Sequence, residues 1–141
     1  MTTPKATASI SHTALAPTWM IWMGRGLSAL VILFLLFDGS LKVMELDIVK
    51  ETGAQLGLPS HLNFGLGVLT FIIVVLYAVP RTSILGAILL TGLLGGAIAT
   101  HLRVGSPLFT HMLFPLYLGL MAWGGLFLRD ERLRALISPR R

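Results

Sequence analysis

The sequence predicts an all-α protein built as a four-helix transmembrane bundle. Three observations carry this reading. Apolar residues make up 55% of the 141 residues and charged residues only 12%, about half the charged share of a soluble domain. With a mean hydropathy of +0.82, a chain this small has too few charges to cover its surface in water. The apolar residues also gather into four runs, each long enough to cross ~30 Å of hydrocarbon as a helix rising about 1.5 Å per residue. Finally, no run alternates apolar with polar residues, which argues against a transmembrane barrel. The length is that of a single domain.

Residues 1–17 are rich in Thr, Ser and Ala with one charge, Lys5, and read as a disordered tail. The Ala14-Leu15-Ala16 triplet precedes the first apolar run instead of following it, so it is not read as a cleavage site. The transmembrane domain is expected over 18–128. Its first span, 19–37, is interrupted by Arg25. A mid-membrane Arg costs roughly 2.5–3.5 kcal/mol on insertion scales, and less near an end from which its stem reaches the headgroups. Trp19 and Trp22 suit an interfacial aromatic belt.

The stretch 38–58 holds Asp38, Lys42, Glu45, Asp47, Lys50 and Glu51. Leu41, Met44 and Ile48 fall at helical spacing, so the first helix is expected to continue as an amphipathic segment that Gly53, Gly57 and Pro59 end. The second span, 62–79, is uncharged, with Ser60 as its N-cap. Pro80-Arg81-Thr82 makes a short turn into the third span, 83–100, predicting an antiparallel hairpin. The fourth span, 108–128, holds Pro115, which kinks the helix or marks its first turns. Residues 129–141 form a basic cytoplasmic tail.

With four spans, both termini share one side. That side collects Lys5, Arg25, Arg81, Arg129, Arg132, Arg134, Arg140 and Arg141, eight positive residues, against three (Lys42, Lys50, Arg103) on the other. The bias puts both termini in the cytoplasm. The net charge of +5 therefore reads as anchors and orientation signals, not as a nucleic-acid surface. The arginines from 129 to 134 are also placed to meet anionic lipid heads. With no cysteine, there is no disulfide framework, dithiol, thiolate metal site or iron–sulfur cluster.

Gly92, Gly95, Gly96 and Ala99 lie within about 100° of arc on the third span, and Gly92/Gly96 form a small-xxx-small pair. Such faces let helix backbones approach. The third span is therefore expected to be the buried hub, by packing within the chain before homodimerisation. Gly119, Gly124 and Gly125 offer a partner surface.

The same topology gathers Asp38, Lys42, His61, His101, Arg103 and His111 at the non-cytoplasmic end. Asp38 and Lys42 are placed i, i+4 for an ion pair. Asp38, Lys42, His101 and Arg103 are expected to form one connected polar site, since Asp38 is the nearest acid to both His101 and Arg103. Three readings stand. One is a ligand or quinone pocket. A second is a metal or bis-imidazole haem site on His61, His101 and His111, which the absence of HExxH and of a ligand-spaced His pair weakens. The third is interfacial anchoring with one ion pair. Gly65-x-Gly67 lacks a preceding strand and is not a nucleotide fingerprint, and there is no P-loop or nucleophile elbow. No catalytic constellation is legible, which argues against catalysis by this chain alone.

The run from Leu76 to Gly92, Leu94-Gly95-Gly96-Ala97 with Ala99 to Gly105, Trp123-Gly124-Gly125 through Asp130, and Asp38-Gly39-x-x-Lys42 together resemble the DoxX-like family of small bacterial membrane proteins. The resemblance covers about residues 27–137. It implies a four-helix bundle in the bacterial cytoplasmic (inner) membrane, and marks Asp38, Lys42, Arg81, His101 and Arg103 as motif positions. For function it implies a membrane component of a redox, quinone-linked system, because some relatives are subunits of thiosulfate:quinone oxidoreductase. Without cysteine, a persulfide or dithiol role does not carry over. Electrons would then need a quinone or a redox partner subunit. The alternative is a non-catalytic membrane scaffold or a small transport or permeation protein. The lipid bilayer is the partner under either reading.

Overall fold

A computed structural model describes residues 16–138; most of the N-terminal tail lies outside them. Among the described residues every regular element is helical: α1 (Thr18–Val43), α2 (Asp47–Gln55), α3 (His61–Ala78), α4 (Ser83–Arg103), α5 (Leu113–Arg129) and α6 (Glu131–Ile137), with a π-helical turn over Leu108–Met112 leading into α5. Four segments are long and apolar enough to cross a membrane: α1, α3, α4, and the π turn with α5. Around the bundle α1 packs on α3, α3 on α4, α4 on α5, and α5 back on α1. Each neighbour is antiparallel, as an up-and-down order requires. Pro115 falls in the first turn of α5, where its missing N–H costs little.

Two helices outrun their apolar cores. α1 extends past Phe37 to Val43 because Lys42 donates to Asp38 one turn earlier, so the charges satisfy each other on the helix. α4 extends to Arg103, which lies in its last turn, where a cation complements the helix dipole. The amphipathic continuation of α1 is instead a separate helix. Glu45 takes a left-handed conformation at φ 51° and breaks the chain between α1 and α2. Ser60 occupies the N-cap position of α3 but makes no side-chain capping bond.

The expected hub in the third span is corrected. A Cβ added to Gly92, Gly95 or Gly96 would meet nothing within 4 Å, and Ala99 is exposed. That small face of α4 makes no close helix–helix approach. The close approach of α4 lies elsewhere, at Gly86, where a Cβ would run into the Tyr77 backbone nitrogen beside the α3–α4 turn; the others belong to α1. A Cβ on Gly24 would lie 2.8 Å from the Gly125 carbonyl oxygen and 2.9 Å from the Arg129 nitrogen, and one on Gly125 would lie 2.8 Å from Ser28 Oγ. Farther along, a Cβ on Gly67 of α3 would come 3.0 Å from the Gly39 carbonyl oxygen. α1 is therefore the helix on which α5 and α3 both seat.

Tyr77, fully buried, locks this arrangement. Its hydroxyl donates to the Ala122 carbonyl at 2.6 Å. With that proton committed, Ser28 Oγ, 3.1 Å away, is the donor to the Tyr77 oxygen. One phenol thus joins α1, α3 and α5. Arg129 stacks over the same ring at 5.1 Å and donates to the Tyr77 carbonyl at 2.9 Å. The α4–α5 seam is held by Trp123 Nε1 donating to Thr91 Oγ1 at 2.8 Å. Within the basic segment, Asp130 caps α6 by accepting from the Arg132 nitrogen at 2.9 Å, and Leu133 packs into the core. The Arg132 side chain's hydrogen bond to Asp130 holds that carboxyl below its ordinary range.

Gly24→Ala should destabilise the protein in detergent by about 1–3 kcal/mol, the range for overpacking a tight seam. Gly96→Ala should leave stability unchanged or slightly raised, since Ala is the better helix former. Thermal unfolding of the two variants checks this; equal losses would restore α4 as the hub.

Candidate functional site

At the end of the bundle opposite the start of α1 and the end of α5, the end of α1, the start of α3, the end of α4 and the start of α5 surround a gap. α2 lies over the gap. The result is a cavity of about 600 Å³, within the ~300–1,000 Å³ of small-molecule sites. Its walls are apolar, with Leu35, Leu66, Leu94 and Leu118 among them. Phe34 of α1 meets Phe114 of α5 edge to face at 5.1 Å and 61°, which fixes one wall.

The polar groups at the cavity differ in how far they are satisfied. Thr52, Thr70 and Thr100 donate to the carbonyls of Ile48, Leu66 and Gly96 on their own helices at 2.8 Å each, so their hydroxyl protons are spent. Lys42 and Asp38 pair along α1 and remain partly exposed. His101 shares its Nδ1 with Ser106 Oγ at 3.1 Å. Asn63 is different. It is 3% exposed, and its Nδ2 has no hydrogen-bond partner. A buried donor left without an acceptor costs about 1–3 kcal/mol, so such a group demands an explanation.

α2 makes this burial. Gly53 packs directly on Asn63: a Cβ there would fall 3.4 Å from Asn63 Oδ1 and 3.5 Å from Nδ2. The glycine lets the cover close onto the carboxamide.

The expected polar site is divided by the structure. Asp38, Lys42 and His101 line the one cavity. Arg103 does not reach Asp38; its guanidinium donates to the Leu56 carbonyl at 2.6 Å. There it straps the end of α4 to the loop after α2, beside Gly57 with φ +69°. Arg103 thus takes a backbone carbonyl where a carboxylate was expected, because Asp38 is already held by Lys42 within its own helix. His111 lies outside the cavity with its ring 5.7 Å from that of His101, and its Nδ1 meets Thr110 Oγ1 at 2.7 Å. His61 opens α3 and does not line the cavity. Among the described residues no three His, Cys, Asp or Glu gather as a metal-binding group.

Sequence reasoning passed over Asn63. Its signal was available: it is the only asparagine of the chain, alone in an uncharged apolar run.

Fold and cavity together define a multi-pass helical membrane protein with a covered, mainly apolar cavity at one end of its bundle. The chain belongs to the DoxX-like family, whose model matches residues 26–125. No match was found among curated proteins or solved structures.

Asn63→Leu replaces an unpaired amide by an apolar side chain of similar size. In ligand-free detergent solution it should raise stability by about 1–3 kcal/mol, the desolvation penalty it removes. A lower melting temperature would mean that the amide is satisfied in solution.

Proposed function

We propose that this chain is a membrane component of a quinone-linked redox system and that its cavity under α2 holds the quinone head. The observation that carries the reading is the buried, unpartnered Nδ2 of Asn63 in a mainly apolar chamber. A quinone offers what that chamber lacks: a flat apolar ring with carbonyl acceptors at its edge. Asn63 donates to one carbonyl. Lys42, whose ammonium has three donors and spends one on Asp38, is the second donor at the cavity. Phe34 and Phe114 supply flat apolar contact. When bound, a quinone supplies two-electron, two-proton redox chemistry. Lys42, Asp38 and His101 are the cavity groups able to hold or release protons at its edge. With no cysteine in the chain, the electrons come from a redox partner subunit.

We place the protein in the bacterial cytoplasmic membrane with both termini in the cytoplasm. The support is the eight-to-three excess of Lys and Arg on the terminal side. The cavity then opens toward the non-cytoplasmic face. Reporter fusions that work only outside the cytoplasm should be active when joined near residues 53 or 105 and silent at residue 141; the opposite pattern inverts the topology.

A short-chain benzoquinone titrated into the detergent-purified protein should raise its melting temperature. At a concentration a hundredfold above Kd, linkage gives about 2.7 kcal/mol of stabilisation. Asn63→Leu should remove most of that response while remaining folded. No shift in the wild-type protein, or an equal shift in the variant, would leave the scaffold or transport reading in its place.

A further inference from the structure

The opposite end of the bundle carries a second cavity, of about 450 Å³, lined by Arg25, Arg81, Arg129 and Arg132 together with Asp130 and Glu131. It forms where α1 begins, α3 turns into α4, and α5 passes into α6. The two carboxylates do not neutralise it, because both already have partners. Asp130 accepts from Arg132 at 3.0 Å and from Ser83 Oγ at 3.3 Å. Glu131 pairs with Arg134 at 3.5 Å. Arg25, Arg81 and Arg129 have no carboxylate partner among the described residues.

Two of these three guanidiniums are held in place by other means. Arg25 lies over the Trp22 ring at 5.3 Å. Arg129 lies over the Tyr77 ring at 5.1 Å and donates one Nη2 bond to the Tyr77 carbonyl. The Nε of Arg129 is buried and has no acceptor. Three cations brought together from α1, the α3–α4 turn and α5 repel one another, and one of them keeps a donor unsatisfied at burial. A shared anion resolves both costs. Guanidinium forks match the oxygens of a phosphate group, bidentate and charge-assisted. Trp19 and Trp22, both 64% exposed on the first turns of α1, place this end at the depth of lipid headgroups.

We propose that this cavity is a phosphate-binding site in which Arg25, Arg81 and Arg129 take the anion's oxygens while Arg132 stays on Asp130. The phosphate belongs either to an anionic phospholipid lodged between the helices or to a soluble phosphate. The site is independent of the quinone reading and lies at the other end of the molecule.

Thermal unfolding of the full chain in detergent tests it, with two additions made at constant ionic strength. Phosphatidylglycerol, compared with phosphatidylcholine, reads the lipid source; inorganic phosphate, compared with chloride, reads the soluble one. A rise in melting temperature with either addition over its control is expected, and the arm that responds names the source. Arg25→Gln and Arg81→Gln, which remove no hydrogen bond of the fold, should each weaken the apparent affinity roughly tenfold or more, the cost of one charge-assisted bond. Lys50→Gln, at the other end, should bind as wild type. No response in either arm, an undiminished response in both Arg variants, or an equal loss in Lys50→Gln would overturn the proposal.

Discussion

Everything in this bundle hangs on how closely α1 and α5 approach. Inside lipid there is no hydrophobic drive pressing one apolar helix onto another, so packing and interhelical hydrogen bonds do the work. Gly24 and Gly125 remove the side chains that would keep the two backbones apart. Ser28 can then meet the Tyr77 hydroxyl, and Tyr77 can reach the Ala122 carbonyl. Push α1 away from α5 and the phenol on α3 must give up either its Ser28 donor or its Ala122 acceptor. The arginine cavity and the central packing are therefore consequences of one tight seam.

The architecture was legible because the bilayer leaves little choice. A chain with four long apolar runs and no alternating pattern must satisfy its backbone within helices. What the sequence did not reveal was direction around each helix. The glycines of α4 and those of α1 and α5 look alike as letters, and a small residue marks where an approach is sterically allowed, not where one occurs. Gly92 and Gly96 meet no neighbouring backbone, whereas Gly24, whose small-xxx-small partner is Ser28, sits directly against the Gly125 carbonyl. The break between α1 and α2 was equally hidden, since the apolar spacing of Leu41, Met44 and Ile48 continues across Glu45, whose left-handed backbone interrupts it.

The candidate site was half legible for a similar reason. Topology placed Asp38, Lys42 and His101 at one end, and in the structure they line one cavity. It could not say which acceptor Arg103 would choose, because a backbone carbonyl carries no letter in the sequence. Nor does charge counting find a neutral carboxamide such as Asn63, whose significance arises only once α2 closes over it. At the other end, the positive residues served as topology signals in the sequence. Their convergence with a buried, unpartnered donor became visible only in three dimensions.

The ring order of the helices also has a consequence for the time at which the protein becomes whole. Three of the four seams join helices that follow one another along the chain; the α1–α5 seam joins its first and last. A ribosome delivers the N-terminal part first, so α1, α3 and α4 emerge before their closing partner exists. During that interval the notch at Gly24 and Ser28 has no Gly125 to fill it, and the Tyr77 hydroxyl has no Ala122 carbonyl to bond. The close fit between the first and last spans is thus the last to be made. Its completion is the event that distinguishes an inserted chain from an assembled one.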